Sequence, residues 1–133
     1  MLNLTNCAQA YVGKFHLAGS GQERYRTRPV PKDQRAGYSD FWIASNLLEY
    51  TSHAYDGFMW DTDGIKRRMK KGKYRADFVG DCFLEFLQNR PSNSSKPFFG
   101  FVSFLEVLFD YELNSYSCSL VIPHVNNLAA SPK

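Results

Sequence analysis

Hydrophobic residues fall along this chain in separate runs, and each run has its own period. "AQAYVGKF" (8–15) is short and nearly continuous, which predicts a buried strand. "LNLTN" ahead of it reads as the last turn of a helix, with Asn6 as a left-handed cap. From Ala18 to Gly37 the chain is polar and aperiodic, and "RTRPVPKDQRAG" predicts a loop. "YSDFWIASNLLEY" is apolar but weakly periodic, so helix and strand both stay open there. "HAYDGFMWDTDGIK" sets Asp-Gly turn signals among aromatic and aliphatic residues, the pattern of a β-hairpin or a short excursion.

The strongest period lies in "YRADFVGDCFLEFLQNR". Tyr74, Phe78, Cys82 and Phe86 recur every fourth residue, with Val79, Phe83 and Leu87 beside them. Arg75, Asp77, Asp81, Glu85 and Gln88 take the opposite positions, so the segment predicts an amphipathic helix, ended by Pro91 and the Asn-Ser-Ser run. The Phe-rich run "KPFFGFVSFLE" that follows predicts a central strand covered on both faces. Strand, loops, helix and strand together predict an α/β fold. After Glu106 the texture changes, and "SLVIPHV" reads as a strand that Pro123 interrupts.

Composition narrows the class. A chain of 133 residues, 44% hydrophobic and 22% charged, suits one globular domain with a modest core. The net charge of +3 is too mild to imply nucleic acid. "KRRMKKGKYR" (66–75) concentrates basic residues and reads first as a solvated loop or helix start. A polyanion contact is the alternative, but no RNP, KH, zinc-finger or helix-turn-helix pattern accompanies the run, so nucleic acid is not an expected partner. Cys7, Cys82 and Cys118 are odd in number and widely spaced, which suggests neither a disulfide framework nor a metal pair. Cys7 and Cys82 read as small buried apolar residues. No apolar run approaches the roughly 20 residues of a membrane span. Met1 is followed by "LNLTNC", without the basic start and apolar core of a signal peptide, and the sequons at Asn3 and Asn93 matter only in a secreted chain.

Chemistry concentrates at Gly13-Lys14-Phe15-His16. In an extended segment Lys14 and His16 share one face, while Tyr11, Gly13 and Phe15 share the other. Gly13 lets a backbone or a ligand come close. Lys14 supplies a compact positive charge and His16 a second donor that titrates near neutrality. Together they suit a tetrahedral oxyanion at the carboxyl end of a strand, where open α/β sheets bind ligands. Solvated or capping residues at a strand exit would show the same pair.

Set beside the other segments, "AYVGKFHLAG" resembles the second signature of the sulfatases, in the alkaline-phosphatase-like superfamily, whose usual form is Gly-Tyr-x-Thr-Ala-x-x-Gly-Lys-Trp-His-Leu-Gly. "VPKDQRAGYSDFW" resembles their Gly-Phe-Asp-x-Trp stretch, and "FMWDTDGIK" their Tyr-x-Asp-Asn-Gly segment. "KYRADFVGDCFLEFLQN" resembles their Gly-Tyr-x-Thr-Asp helix, and "KPFFGFVSFLE" the strand Lys-Pro-Phe-Phe-Leu-Phe-Leu-Ser-Tyr-Leu-Glu-Pro-His. The likeness runs in family order over residues 2 to 106. It implies a mainly parallel central sheet flanked by helices, and a sulfuric ester hydrolase with a formylglycine nucleophile and a calcium ion. Lys14 would contact the sulfate and the formylglycine, and His16 would hydrogen-bond the formylglycine, which makes both catalytic and substrate-binding residues by resemblance. The implied partner is a sulfate-ester small molecule or a sulfated carbohydrate.

Departures from the pattern shape the expectation. The modification motif Cys/Ser-x-Pro-x-Arg matches none of "CAQAY", "CFLEF" and "CSLVI". The family's metal-binding Asp and Asn pairs and its second active-site lysine fall outside this chain. Glu106-Val107-Leu108 stands where the family has Glu-Pro-His, and His124, the one histidine beyond, has unmatched surroundings. Residues 1–106 therefore read as an incomplete sulfatase catalytic domain, inactive alone, and 107–133 as a divergent tail foreign to the family, such as intron read-through. A phosphoesterase of the same superfamily, or a noncatalytic anion-binding module using Lys14, His16 and the basic run, are the alternatives. The aromatics of Tyr38–Trp42 and His53–Asp63 read as core before they read as a substrate cleft.

Overall fold

The computed structural model describes residues 7–19, 25–91, 94–105 and 118–124. The proposed helical turn at "LNLTN", with its Asn6 cap, and the asparagines of both sequons lie outside these residues. The first hydrophobic run forms β1, Ala8–Lys14, and the open stretch resolves as β2, Phe41–Ser45. The Asp-Gly segment forms β3, Ser52–His53, β4, Asp56–Trp60, and β5, Lys66–Arg68, in antiparallel pairs. The periodic stretch is the helix α1, Arg75–Gln88. The Phe-rich run is β6, Phe98–Phe104, and β7 is Cys118–His124.

The sheet runs in the order β3-β4-β2-β1-β6-β7, with β5 on the far side of β4. At its centre β1 pairs in parallel with both β2 and β6, while the outer pairs are antiparallel. The fold is thus α/β with a mixed sheet, less parallel than expected and carrying one helix among the described residues. Pro123 sits within β7, opposite Phe99, and does not interrupt it. Here β7 is the last strand of the order, and an edge position tolerates a missing ladder donor.

Strand alternation sorts the side chains into two cores. Ala10, Val12, Ile43, Met59, Phe98 and Val102 meet Val79, Cys82, Phe83 and Phe86 of α1. Of the helix stripe read from the sequence, Val79, Cys82, Phe83 and Phe86 are buried, Phe78 and Leu87 are partly buried against the core, and Tyr74 is an exposed residue just before the helix. Gly100 makes this fit possible, because a Cβ there would lie 2.6 Å from the Phe83 ring. On the other face Tyr11, Phe15, Trp42 and Ala44 pack with Ala18, Tyr25 and Val30. Loop residues, not a helix, cover this second face among the described residues. Arg35 anchors that loop: it is 2% exposed, donates to the Val30 and Thr62 carbonyl oxygens at 2.9 Å each, and lies over the Trp42 ring.

The basic run divides by structure. Arg67 pairs with Glu85 on α1 at 2.6 Å, and Lys73 with Asp81 at 2.7 Å. Arg75 donates to the Ser52 carbonyl at 2.8 Å and opens the helix. Lys66 lies over the rings of Phe58 and Trp60 instead. What reads in sequence as a solvated loop or helix start is a short strand, a turn and the start of α1, and its Arg67 fastens the hairpin to α1. No helix among the described residues is long and apolar enough to cross a membrane.

Candidate functional site

Two constraints fix the end of β1. Gly13 takes a φ of +108°, a backbone that side chains rarely allow. A Cβ at Gly13 would land on the Ser103 carbonyl oxygen of β6, far inside contact distance. The glycine therefore admits a neighbouring strand, not a ligand. Lys14 closes the strand, and the chain then turns: Phe15 and His16 both donate their backbone N–H groups toward β2's end, to Ser45 and Asn46 carbonyls at 2.9 and 2.8 Å. His16 adopts a left-handed φ of 55°, which histidine accepts more readily than branched residues do.

Asn46 holds this turn. Its amide donates to the Ala18 carbonyl and its Oδ1 accepts from the Ala18 N–H, both at 3.1 Å, so the side chain imitates a paired strand. Phe15 and Ala18 point into the aromatic core, while His16 and Leu17 are exposed. The strand alternation that would carry His16 onto the face of Lys14 stops at Lys14. The two residues are neighbours across a turn, one buried and one in solvent.

Lys14 is 6% exposed, and its ammonium lies 3.3 Å from each carboxylate oxygen of Glu49. Glu49 sits on a single 3-10 turn, Leu48–Tyr50, after β2. Burial of Leu48 roots that turn in the core, and the Ser52 hydroxyl donates back to the Leu48 carbonyl at 3.0 Å. Thr51 donates to Ser45 Oγ at 2.8 Å. The carboxyl ends of β1 and β2 thus present a buried cation, a half-buried carboxylate and satisfied hydroxyls.

Sequence reasoning found Lys14 and His16 but passed over Asn46 and Glu49. The available signal was the set of polar residues Ser45, Asn46 and Glu49 inside the otherwise apolar "IASNLLEY". His124 does not join them. It pairs with Phe98, where β6 begins, whereas Gly13 pairs with Ser103 near its end. At about 3.3 Å per residue, roughly 16 Å of strand separates the two positions, which removes His124 as a substitute sulfate ligand.

Cys82 is buried against the sheet, and burial pushes its thiol up to about 12, the opposite of an activated nucleophile. Among the described residues no group of three or more His, Cys, Asp and Glu side chains could hold a metal ion. These residues do not fit the calcium site that the sulfatase resemblance implies. Of the aromatics in Tyr38–Trp42 and His53–Asp63, Trp42 and Trp60 are buried, Tyr38 packs against the second cluster, and Tyr55 is exposed. No family model, curated protein or solved structure matches the chain.

Proposed function

We propose that this chain forms one wall of an oxyanion-binding hydrolase site, that of a sulfuric ester hydrolase of the sulfatase type. Lys14 binds sulfate oxygens, and His16 contacts the reacting group from solvent. The observation that carries the reading is Lys14 itself: a lysine buried to 6% exposure at the carboxyl end of the central parallel strand. A buried ammonium is costly in a structural role, because desolvation offsets much of its pairing energy. A cation held in place at the carboxyl end of a strand is what a developing sulfate charge needs. The order of the sequence segments that resemble sulfatases supports the choice of sulfate over other anions.

Without a Cys/Ser-x-Pro-x-Arg motif the chain supplies no nucleophile of this type, and the proposed activity belongs to a longer catalytic unit. The purified chain is expected to show no multiple-turnover hydrolysis of an aryl sulfate. Its anion site is tested directly by amide NMR during titration with sodium sulfate at constant ionic strength. Shifts should gather at 14–18 and 45–49, and Lys14→Ala should abolish them. Shifts scattered over the basic hairpin, or none, would reject the reading. Phosphate binding tighter than sulfate would move the assignment to a phosphoester hydrolase.

A further inference from the structure

We infer that Glu49 is an internal stand-in for the bound anion, a carboxylate that holds Lys14 and must leave before an oxyanion can take the lysine. The inference rests on the oxyanion reading above and adds a residue that controls access to that site. Ammonium–carboxylate hydrogen bonds normally close to about 2.7–2.9 Å. Lys14 instead straddles Glu49, with Oε1 and Oε2 each at 3.3 Å, so neither oxygen receives a short bond. Oε2 is shut off from solvent and has no hydrogen-bond partner of good geometry. A buried carboxylate oxygen without a donor is poorly stabilised.

The two partners also differ in freedom. Lys14 is fixed at the end of a strand paired on both sides, with its side chain enclosed. Glu49 stands on one turn of 3-10 helix with its side chain 33% exposed, so it has a path into water. Among the described residues it is the one carboxylate within ion-pair reach of Lys14. An arriving sulfate brings more oxygens and more charge to the same ammonium. Glu49 can then rotate outward, and Lys14 is never left buried without a counter-charge. The carboxylate thereby keeps the empty site folded and sets a threshold that only a strong oxyanion passes.

The test is calorimetric titration of the 133-residue chain with sodium sulfate at constant ionic strength. Glu49→Gln should bind sulfate about tenfold more tightly than the unaltered chain, because no internal charge competes. Glu49→Asp, which withdraws the carboxylate by one methylene, should fall between them and carries the test if the glutamine variant does not fold. Lys14→Met/Glu49→Gln should not bind. If the unaltered chain binds and neither Glu49 variant binds more tightly, the stand-in role is overturned while the oxyanion site stands. If none of the single variants and the unaltered chain binds sulfate, both readings fall.

Discussion

At the scale of single residues, the site depends on conformations that few side chains accept. Gly13 combines a positive φ with direct backbone contact from Ser103, so both strain and overlap oppose any substitution. Gly13→Ala is expected to destabilise the chain by about 2–4 kcal/mol, with loss of the β1–β6 ladder at the carboxyl end. Urea unfolding followed by circular dichroism measures this, and a change within about 0.5 kcal/mol would show that the strands can part there without cost. The sequence pointed to this glycine as a place of close approach. It did not say whether a ligand or a strand would approach, because the parallel partner lies some 90 residues onward at Ser103. The same limit hid Asn46 and Glu49. Their importance comes from meeting Ala18 and Lys14 where β1 and β2 end, a relation that no spacing within "SNLLEY" encodes.

Elements are held together chiefly by apolar burial, with charge in a minor role. The hairpin meets α1 through Met59 in the core and through the Arg67–Glu85 pair at its rim. The pair has good two-point geometry, at 2.6 and 3.3 Å, yet both side chains are more than a third exposed and solvent screens them. Glu85→Ala should therefore cost less than about 1 kcal/mol, and high salt should shrink the loss. Phe83→Ala empties the space that Gly100 leaves for its ring, and should cost about 3–5 kcal/mol. Paired denaturation curves in low and high salt compare the two, and a larger loss for Glu85→Ala would invert this order of forces. The helix was legible because its stripe repeats locally over a dozen residues. The strand state of 41–45 was not, since a short apolar run buried on both faces has no period to read.

For the molecule as a whole, burial of titratable groups sets the response to alkali. Desolvation raises the Cys82 thiol from 9.0 to about 12, and raises the Tyr11 and Tyr38 hydroxyls above their ordinary 10.0. The folded chain keeps protons that the unfolded chain releases, so the unfolded state binds fewer protons and stability falls as pH rises. This contribution is fully present below pH 9, where both states keep the thiol proton. It declines between pH 9 and about 12, as the unfolded thiol releases the proton that buried Cys82 keeps, with the tyrosines adding to the loss above pH 10. Urea midpoints measured from about pH 8 to about pH 11 should fall steadily, and Cys82→Ala should flatten the early part of the curve. A midpoint that held constant across that range would contradict the burial of these groups.

What the sequence determined by itself are the features that local repetition and local chemistry encode. These are the helix 75–88, the strands at 8–14 and 98–104, the turn at Asp63-Gly64, and a lysine and a histidine two residues apart where the first strand ends. Tertiary structure decided which strands are neighbours, and so everything that neighbours create. It gave Gly13 a strand to admit, turned His16 out of line with Lys14, set His124 at the wrong end of the sheet, and brought Glu49 to the ammonium. The physical reason is range: a period of two or four residues reports one face of one element, whereas a buried charge is governed by whatever the fold places within about 4 Å of it.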